Sequence, residues 1–303
     1  MHVFVTGGSG LTGPAVVAEL VAAGHTVTGL ARSDAAAARL ESLGATPHRG
    51  SLDDLDSLRS GAEAADGVLH MAFGGDFADP DEMMRRDRTA IETLGQALEH
   101  SGKPFVSTSG TLVMPVGRKS AENDEPDPAG IAGFRIPGER ACLGFAAQQV
   151  RASVVRLAPT VHGPADYGFI GMLVANAQRT GMSAYVGDGG NRWPAVHRFD
   201  AATLFRLALE KAPAGSVLHG AAESGVTLKS IAETIARRLD LPAVSLTPDE
   251  AAEHFPSPFM ATVYGFDAPV SSSYTQGLLG WSPAHPTLLD DLEHGDYFAM
   301  PAS

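Results

Sequence analysis

Thr6-Gly7-Gly8-Ser9-Gly10-Leu11-Thr12-Gly13 decides how this chain is read. The glycines at 7, 10 and 13 follow an apolar run, His2 to Thr6, and precede an amphipathic stretch, Thr12 to Ala23, so a tight strand-to-helix turn is expected. Each glycine has a separate task in such a turn. Gly7 permits the sharp bend, Gly10 lets a ligand approach the backbone, and Gly13 lets the helix pack close to the strand. Unpaired N–H groups at the start of the helix then attract an anion, which points to a diphosphate-bearing ligand.

Outward from this turn, short apolar runs alternate with helical patterns. Strands are expected at His2 to Thr6, His25 to Ala31, Thr46 to Arg49, Gly67 to Ala72, Phe105 to Ser109 and Ser153 to Ala158. Helices are expected at Thr12 to Ala23, Asp34 to Leu43 and Asp53 to Ser60, stopped by Gly24, Gly44 and Gly61, with longer ones at Asp81 to Ser101 and Ala129 to Gln149. This is the pattern of an α/β fold, a doubly wound parallel sheet of Rossmann type with a smaller C-terminal lobe. The boundaries read as residues 1–163 for the dinucleotide-binding domain and 164–303 for the substrate lobe, with segments near 196–220 returning to the sheet. The long helices also allow a homodimer.

The composition narrows the partners. The 303 residues carry 22 Lys and Arg against 35 Asp and Glu, a formal charge of −13, which disfavours nucleic acid and favours a small-molecule substrate. None of the eleven histidines stands at zinc-site spacing, so no metal is expected. With one cysteine, Cys142, no apolar run of membrane length and no basic leader, the chain reads as cytoplasmic, without membrane association.

TGGSGLTG resembles the TGGxGFIG opening of the extended and atypical short-chain dehydrogenases/reductases, the superfamily that includes NAD-dependent epimerases and dehydratases. The resemblance implies an NAD(P)-binding oxidoreductase with the diphosphate over Gly7, Ser9, Gly10, Leu11, Thr12 and Gly13. At the end of the second strand, Arg32 and Ser33 stand about twenty residues past the glycines, where an acid would bind ribose hydroxyls and a guanidinium suits a 2′-phosphate. NADP(H) is therefore the expected cofactor, with NAD(H) the alternative if Asp34 takes the ribose. Gly50-Ser51-Leu52-Asp53 is similar to the family's GDLxD segment at the adenine, and His70-Met71-Ala72-Phe73 to its HLAA strand end. Ser51, Leu52, Met71, Ala72 and Phe73 are accordingly cofactor candidates, together with Ser107 on the fifth strand and Pro159 in a segment resembling LRPxNVYGP.

The chemistry of the family uses a Ser or Thr after the fifth strand and a YxxxK pair on the next helix. Here the strand supplies Ser107, Thr108, Ser109 and Thr111. By eye, the Tyr position falls on Arg135 and the Lys position on Glu139, and no Tyr precedes Tyr167. Ser109, Thr111, Arg135 and His162 are the catalytic candidates. Arg135 would act by stabilising charge, because a guanidinium is too weak an acid to donate a proton. Three functions stay open: a carbonyl reductase with a non-standard proton donor, among them Tyr167 or water; a catalytically silent NADP(H)-binding regulator or redox sensor; and an epimerase or dehydratase. Tyr167, Phe169, Met172, Tyr185 and Trp193 are candidates for an apolar substrate pocket. Arg192 to Ala202 resembles the family's strand-helix junction, with Asp200 as the helix cap.

Overall fold

The computed structural model describes residues 1–74 and 79–299. Its first half runs β1 (His2–Thr6), α1 (Gly13–Ala22), β2 (Thr26–Ala31), α2 (Asp34–Ser42), β3 (Thr46–Arg49), α3 (Leu55–Glu63), β4 (Gly67–His70), α4 (Pro80–Ala97), β5 (Pro104–Gly110), α5 (Ile136–Gly144) and β6 (Arg151–Leu157). The second half continues with β7 (Thr160–His162), α6 (Phe169–Thr180), β8 (Ser183–Val186), β9 (Arg192–His197), α7 (Arg198–Lys211), β10 (Ser216–Gly220), β11 (Glu223–Thr227), α8 (Leu228–Leu239), β12 (Ala243–Leu246), α9 (Pro248–His254), α10 (Pro258–Tyr264), α11 (Ser273–Leu279) and α12 (Leu288–His294).

The main sheet has seven parallel strands in the order β10-β6-β5-β4-β1-β2-β3, the doubly wound arrangement expected from the strand-helix alternation. The order reverses beside β1, so the Gly-rich turn opens at the crevice where such sheets bind ligands. Strand alternation divides the core. Val3 and Val5 face α1 and α7 on one side, while Phe4 joins Leu58, Ile91, Leu94 and Phe105 on the other. Cys142 is fully buried in that second layer, 3.6 Å from the Ser153 carbonyl, and burial pushes its thiol pKa well up, so it packs as an inert apolar residue.

Past β6 the chain builds two small sheets, β11-β9-β7 and β12-β8, around a separate core. Trp193 is fully buried there and stacks on Tyr264 at 5.4 Å with Phe169 against its edge, and Tyr185 packs on the same cluster. Trp193, Phe169 and Tyr185 are thus packed on the lobe's own core, Trp193 fully buried and the other two partly, whereas Tyr167 and Met172 are exposed. Of the 196–220 segment, β10 joins the main sheet beside β6, and β9 belongs to the small sheet. No helix among the described residues is long and apolar enough to cross a membrane.

Three local expectations are corrected. The stretch 129–149 is not one helix: Pro137 sits in the first turn of α5, with short 3-10 turns at Gly133–Arg135 and Phe145–Gln148 on either side. Asp200 does not cap α7. The His197 ring caps it, accepting from the Phe199 amide at 3.2 Å, while Asp200 accepts from the Ala284 and His285 amides and anchors the C-terminal segment. Gly61 does not stop α3, which runs on to Glu63.

Gly61 is glycine because a Cβ there would lie 2.5 Å from the Phe4 ring. Gly61→Ala should therefore lower stability by about 1–3 kcal/mol through overpacking, although the same change in an open helix would raise it by up to about 1 kcal/mol. Urea midpoints of the two proteins decide the sign, and a higher midpoint for the variant would contradict the packing account.

Candidate active site

The turn after β1 is shaped by contacts that exclude side chains. Gly7 has φ +77, in the left-handed region, and a Cβ on it would lie 2.5 Å from the Ala72 amide nitrogen. Its carbonyl accepts from the Gly10 amide at 3.0 Å. A Cβ on Gly13 would collide with that carbonyl, so the first residue of α1 can rest on the turn only without a side chain. Thr12, at the cap position of α1, makes no side-chain capping bond, and the first turn of the helix carries no acid. The leading N–H groups are left for an external anion.

A cleft of about 530 Å³ opens on this turn. Of the residues expected to hold a cofactor, Gly7, Ser9, Gly10, Arg32, Ser51, Leu52, Ala72 and Phe73 line it. Leu11, Thr12, Gly13, Ser33, Met71, Ser107 and Pro159 are not among the lining residues. Gly13 serves packing, Met71 leans on the core beneath α1, and Ser107 is buried in β5. The Ser33 hydroxyl caps α2, accepting from the Ala36 amide at 3.2 Å. Leu30, Gly50, Gly74 and Arg86 complete the lining.

Arg86 was not legible in the sequence. It lies on α4, where nothing in the pattern marks a ligand contact, and it reaches the cleft by pairing with Asp53 at 2.6 Å. Its Nε is buried without a partner. Among the described residues, two arginines and no carboxylate line the cleft of this acidic protein. Asp34 is outside the lining and pairs with Arg49 at 2.6 Å, while Arg32 makes no ion pair among the described residues. A cleft of this size, with a side-chain-free turn and an uncapped helix start, fits a dinucleotide.

Beside Phe73, at the carboxyl end of β5, stands the candidate chemistry. Ser109 and Thr111 are buried, and among the described residues their hydroxyls, like that of Thr108, have no hydrogen-bond partner. Such groups are expensive to bury unsatisfied, which makes them candidates to receive a polar atom. Arg135, just ahead of α5, donates from Nη2 to the Thr108 carbonyl at 2.7 Å and lays its guanidinium 3.6 Å from the Phe73 ring centre. Burial pulls its pKa below the usual value. Glu139, four residues on, receives Arg156 from β6 through three contacts between 2.6 and 3.1 Å, both side chains being buried. Behind the site, Thr6 and His70, paired in register on β1 and β4, hydrogen-bond at 2.8 Å, and His70 lies 3.3 Å from Asp87 on α4.

His162 is not brought to this place. It is 1% exposed, with Nδ1 2.8 Å from Asp291 and its ring edge-on to His197. It therefore ties β7 to α12. The loop that follows is held by the C-terminal segment: Tyr297 donates to Asp166 at 2.7 Å, and desolvation raises the Asp166 pKa.

Comparison with known proteins gives four findings. The model of the NAD dependent epimerase/dehydratase family matches residues 3–219. An uncharacterized protein of Schizosaccharomyces pombe is 46% identical over 98% of this chain and 100% of its own. A 4-hydroxy-2-methyl-3-oxo-4-farnesyl-3,4-dihydroquinoline-1-oxide ketoreductase of Stigmatella aurantiaca is 30% identical over 76% of this chain and 71% of its own. In fold, the chain is similar to a dTDP-glucose 4,6-dehydratase of Streptomyces venezuelae solved with NAD bound, at TM-score 0.81 and 17% identity, covering 99% of this chain and 97% of that one.

The histidine cluster makes a testable pH dependence. Desolvation, with His162 and His285 adding to it, holds His197 down to about 4 from 6.5, against the opposing pull of Asp291 and Asp200. The folded state thus binds fewer protons than the unfolded chain between those values, and stability should fall as pH drops from about 6.5 towards 4. His197→Asn keeps an acceptor for the Phe199 amide but cannot titrate. Urea unfolding across this window should show a shallower pH slope for the variant, and equal slopes would remove His197 from the explanation.

Proposed function

Because the chain belongs to the NAD dependent epimerase/dehydratase family, in which oxidoreductase-type chemistry goes with a nicotinamide cofactor, we propose that it is an NADP(H)-dependent reductase of a carbonyl-containing small molecule. The observation that carries the cofactor choice is the charge of the cleft. Among the described residues Arg32 and Arg86 line it and no carboxylate does, while Asp34 stands outside the lining beside Arg49. A 2′-phosphate supplies the anion that Arg32 lacks.

Bound NADPH would supply the hydride. The chain's own contribution is to receive and polarise the carbonyl. The unpartnered Ser109 and Thr111 hydroxyls are donors suited to the substrate oxygen, and Arg135 adds a fixed positive charge where negative charge develops. Arg135 holds its proton throughout, so the proton on the product oxygen comes through a hydroxyl from water. Glu139, neutralised by Arg156, holds α5 against β6 and leaves Arg135 as the cation of this end. The ketoreductase relative supports reduction over epimerisation.

The test is paired titration and turnover. NADPH should bind more tightly than NADH, and Arg32→Ala should weaken NADPH roughly 10- to 100-fold, the loss of a charge-assisted contact, while leaving NADH nearly unchanged. NADPH should also be consumed with members of an aldehyde and ketone panel. Equal losses for both coenzymes would overturn the phosphate assignment, and tight NADPH binding without any turnover would favour the sensor reading.

A further inference from the structure

We propose that the substrate of this reductase is an oxo acid, whose carboxylate is held by Arg135 while its carbonyl oxygen takes the Ser109 and Thr111 hydroxyls; the inference rests on the reductase reading above. It starts from an imbalance of hydrogen bonds and charge. A guanidinium has five N–H donors. Arg135 places one bond, to the Thr108 carbonyl, and makes no ion pair among the described residues. The two carboxylates whose fields reach it are occupied elsewhere, Glu139 by the three contacts from Arg156 and Asp87 by His70 at 3.3 Å.

The surroundings make this imbalance informative. Arg135 lies over Phe73, which lines the nucleotide cleft, and itself lines a hollow of about 320 Å³ with Asp81, Met84, Asp87, Phe134 and Pro137. The other arginines of that hollow are already paired, Arg85 with Glu82 and Arg88 with Glu92. A desolvated cation without a counter-charge is costly, and the described residues do not supply one. A neutral ketone would satisfy the hydroxyls and leave the guanidinium as it is. A carboxylate accepts from it in the bidentate manner that guanidinium geometry favours.

Distance along the chain limits the ligand further. Arg135 is fastened at Thr108, and the receiving hydroxyls belong to Ser109 and Thr111, so anion and carbonyl are separated by at most about three strand residues, roughly 10 Å. That upper bound keeps the carboxylate within a few carbons of the carbonyl. The carboxylate is not consumed. Reduction adds a hydride to the carbonyl carbon and one solvent proton to its oxygen, giving the hydroxy acid and oxidised coenzyme.

The experiment uses the full chain loaded with NADPH, into which 2- and 3-hydroxy acids of graded chain length and their methyl esters are titrated calorimetrically. Hydroxy acid and reduced coenzyme cannot turn over together, so the titration reads binding alone. At least one acid should bind about 10- to 100-fold more tightly than its ester. Arg135→Met should bring the acid-to-ester ratio close to one, and Arg135→Lys should keep part of it. Because the ratio is internal to each protein, it is insensitive to a general weakening of the variant. Acid and ester binding alike, a preference that survives Arg135→Met, or no acid binding to a protein that does bind NADPH would each overturn the proposal. Failure of NADPH to bind at the loading step would instead count against the reductase reading beneath it.

Discussion

Gly7 and Gly13 bring the end of β1, the end of β4 and the start of α1 closer together than any side chain permits. A Cβ on Gly7 would press on the Ala72 amide nitrogen, and one on Gly13 would strike the Gly7 carbonyl. The consequence is directional. With α1 seated on the turn and no side chain capping it, its N–H groups and dipole open into the cleft between the β2, β3 and β4 ends. The placing of Arg32, Ser51 and Phe73 around that cleft follows from the parallel register of the same strands.

The opposite end of the cleft follows a different logic. A buried Tyr and Lys would share one proton relay, whereas the residues expected at those positions from the sequence, Arg135 and Glu139, have separate fates. Glu139 is absorbed into an ion pair with Arg156 that locks α5 to the sheet. Arg135 turns to the Thr108 carbonyl and the Phe73 face, beside three unsatisfied hydroxyls. Under the proposed reductase function, catalysis there would depend on fixed charge and hydrogen-bond donors, with the proton drawn from outside.

How much of this could be read in advance varied with the kind of interaction. The strands and the first helices were legible because apolar periodicity is local, and β1 and β3 fell on the residues expected. Gly61 was misread because a glycine that ends a helix and one that admits a ring from across the core look alike in sequence. Asp200 was misread because its partners, Ala284 and His285, lie more than eighty residues away, while the nearer His197 did the capping. Arg86 left no signal, since only the packing of α4 beside Asp53 makes it part of the cleft. His162 stood in a segment resembling one that touches cofactor, yet Asp291, supplied by α12, draws it into the lobe's interior.

Gly10 offers the most direct measurement of the central claim, that backbone at the β1 turn receives the coenzyme diphosphate. Among the described residues a Cβ there would meet the Gly7 carbonyl oxygen, at 3.3 Å, a tight contact that a shift of a few tenths of an ångström relieves, so Gly10→Ala should still fold cooperatively. The added methyl would occupy the approach of the diphosphate, and NADPH affinity measured by fluorescence titration should fall by at least about tenfold, a loss of roughly 1.4 kcal/mol. Wild-type affinity in a normally folded Gly10→Ala protein would contradict the claim.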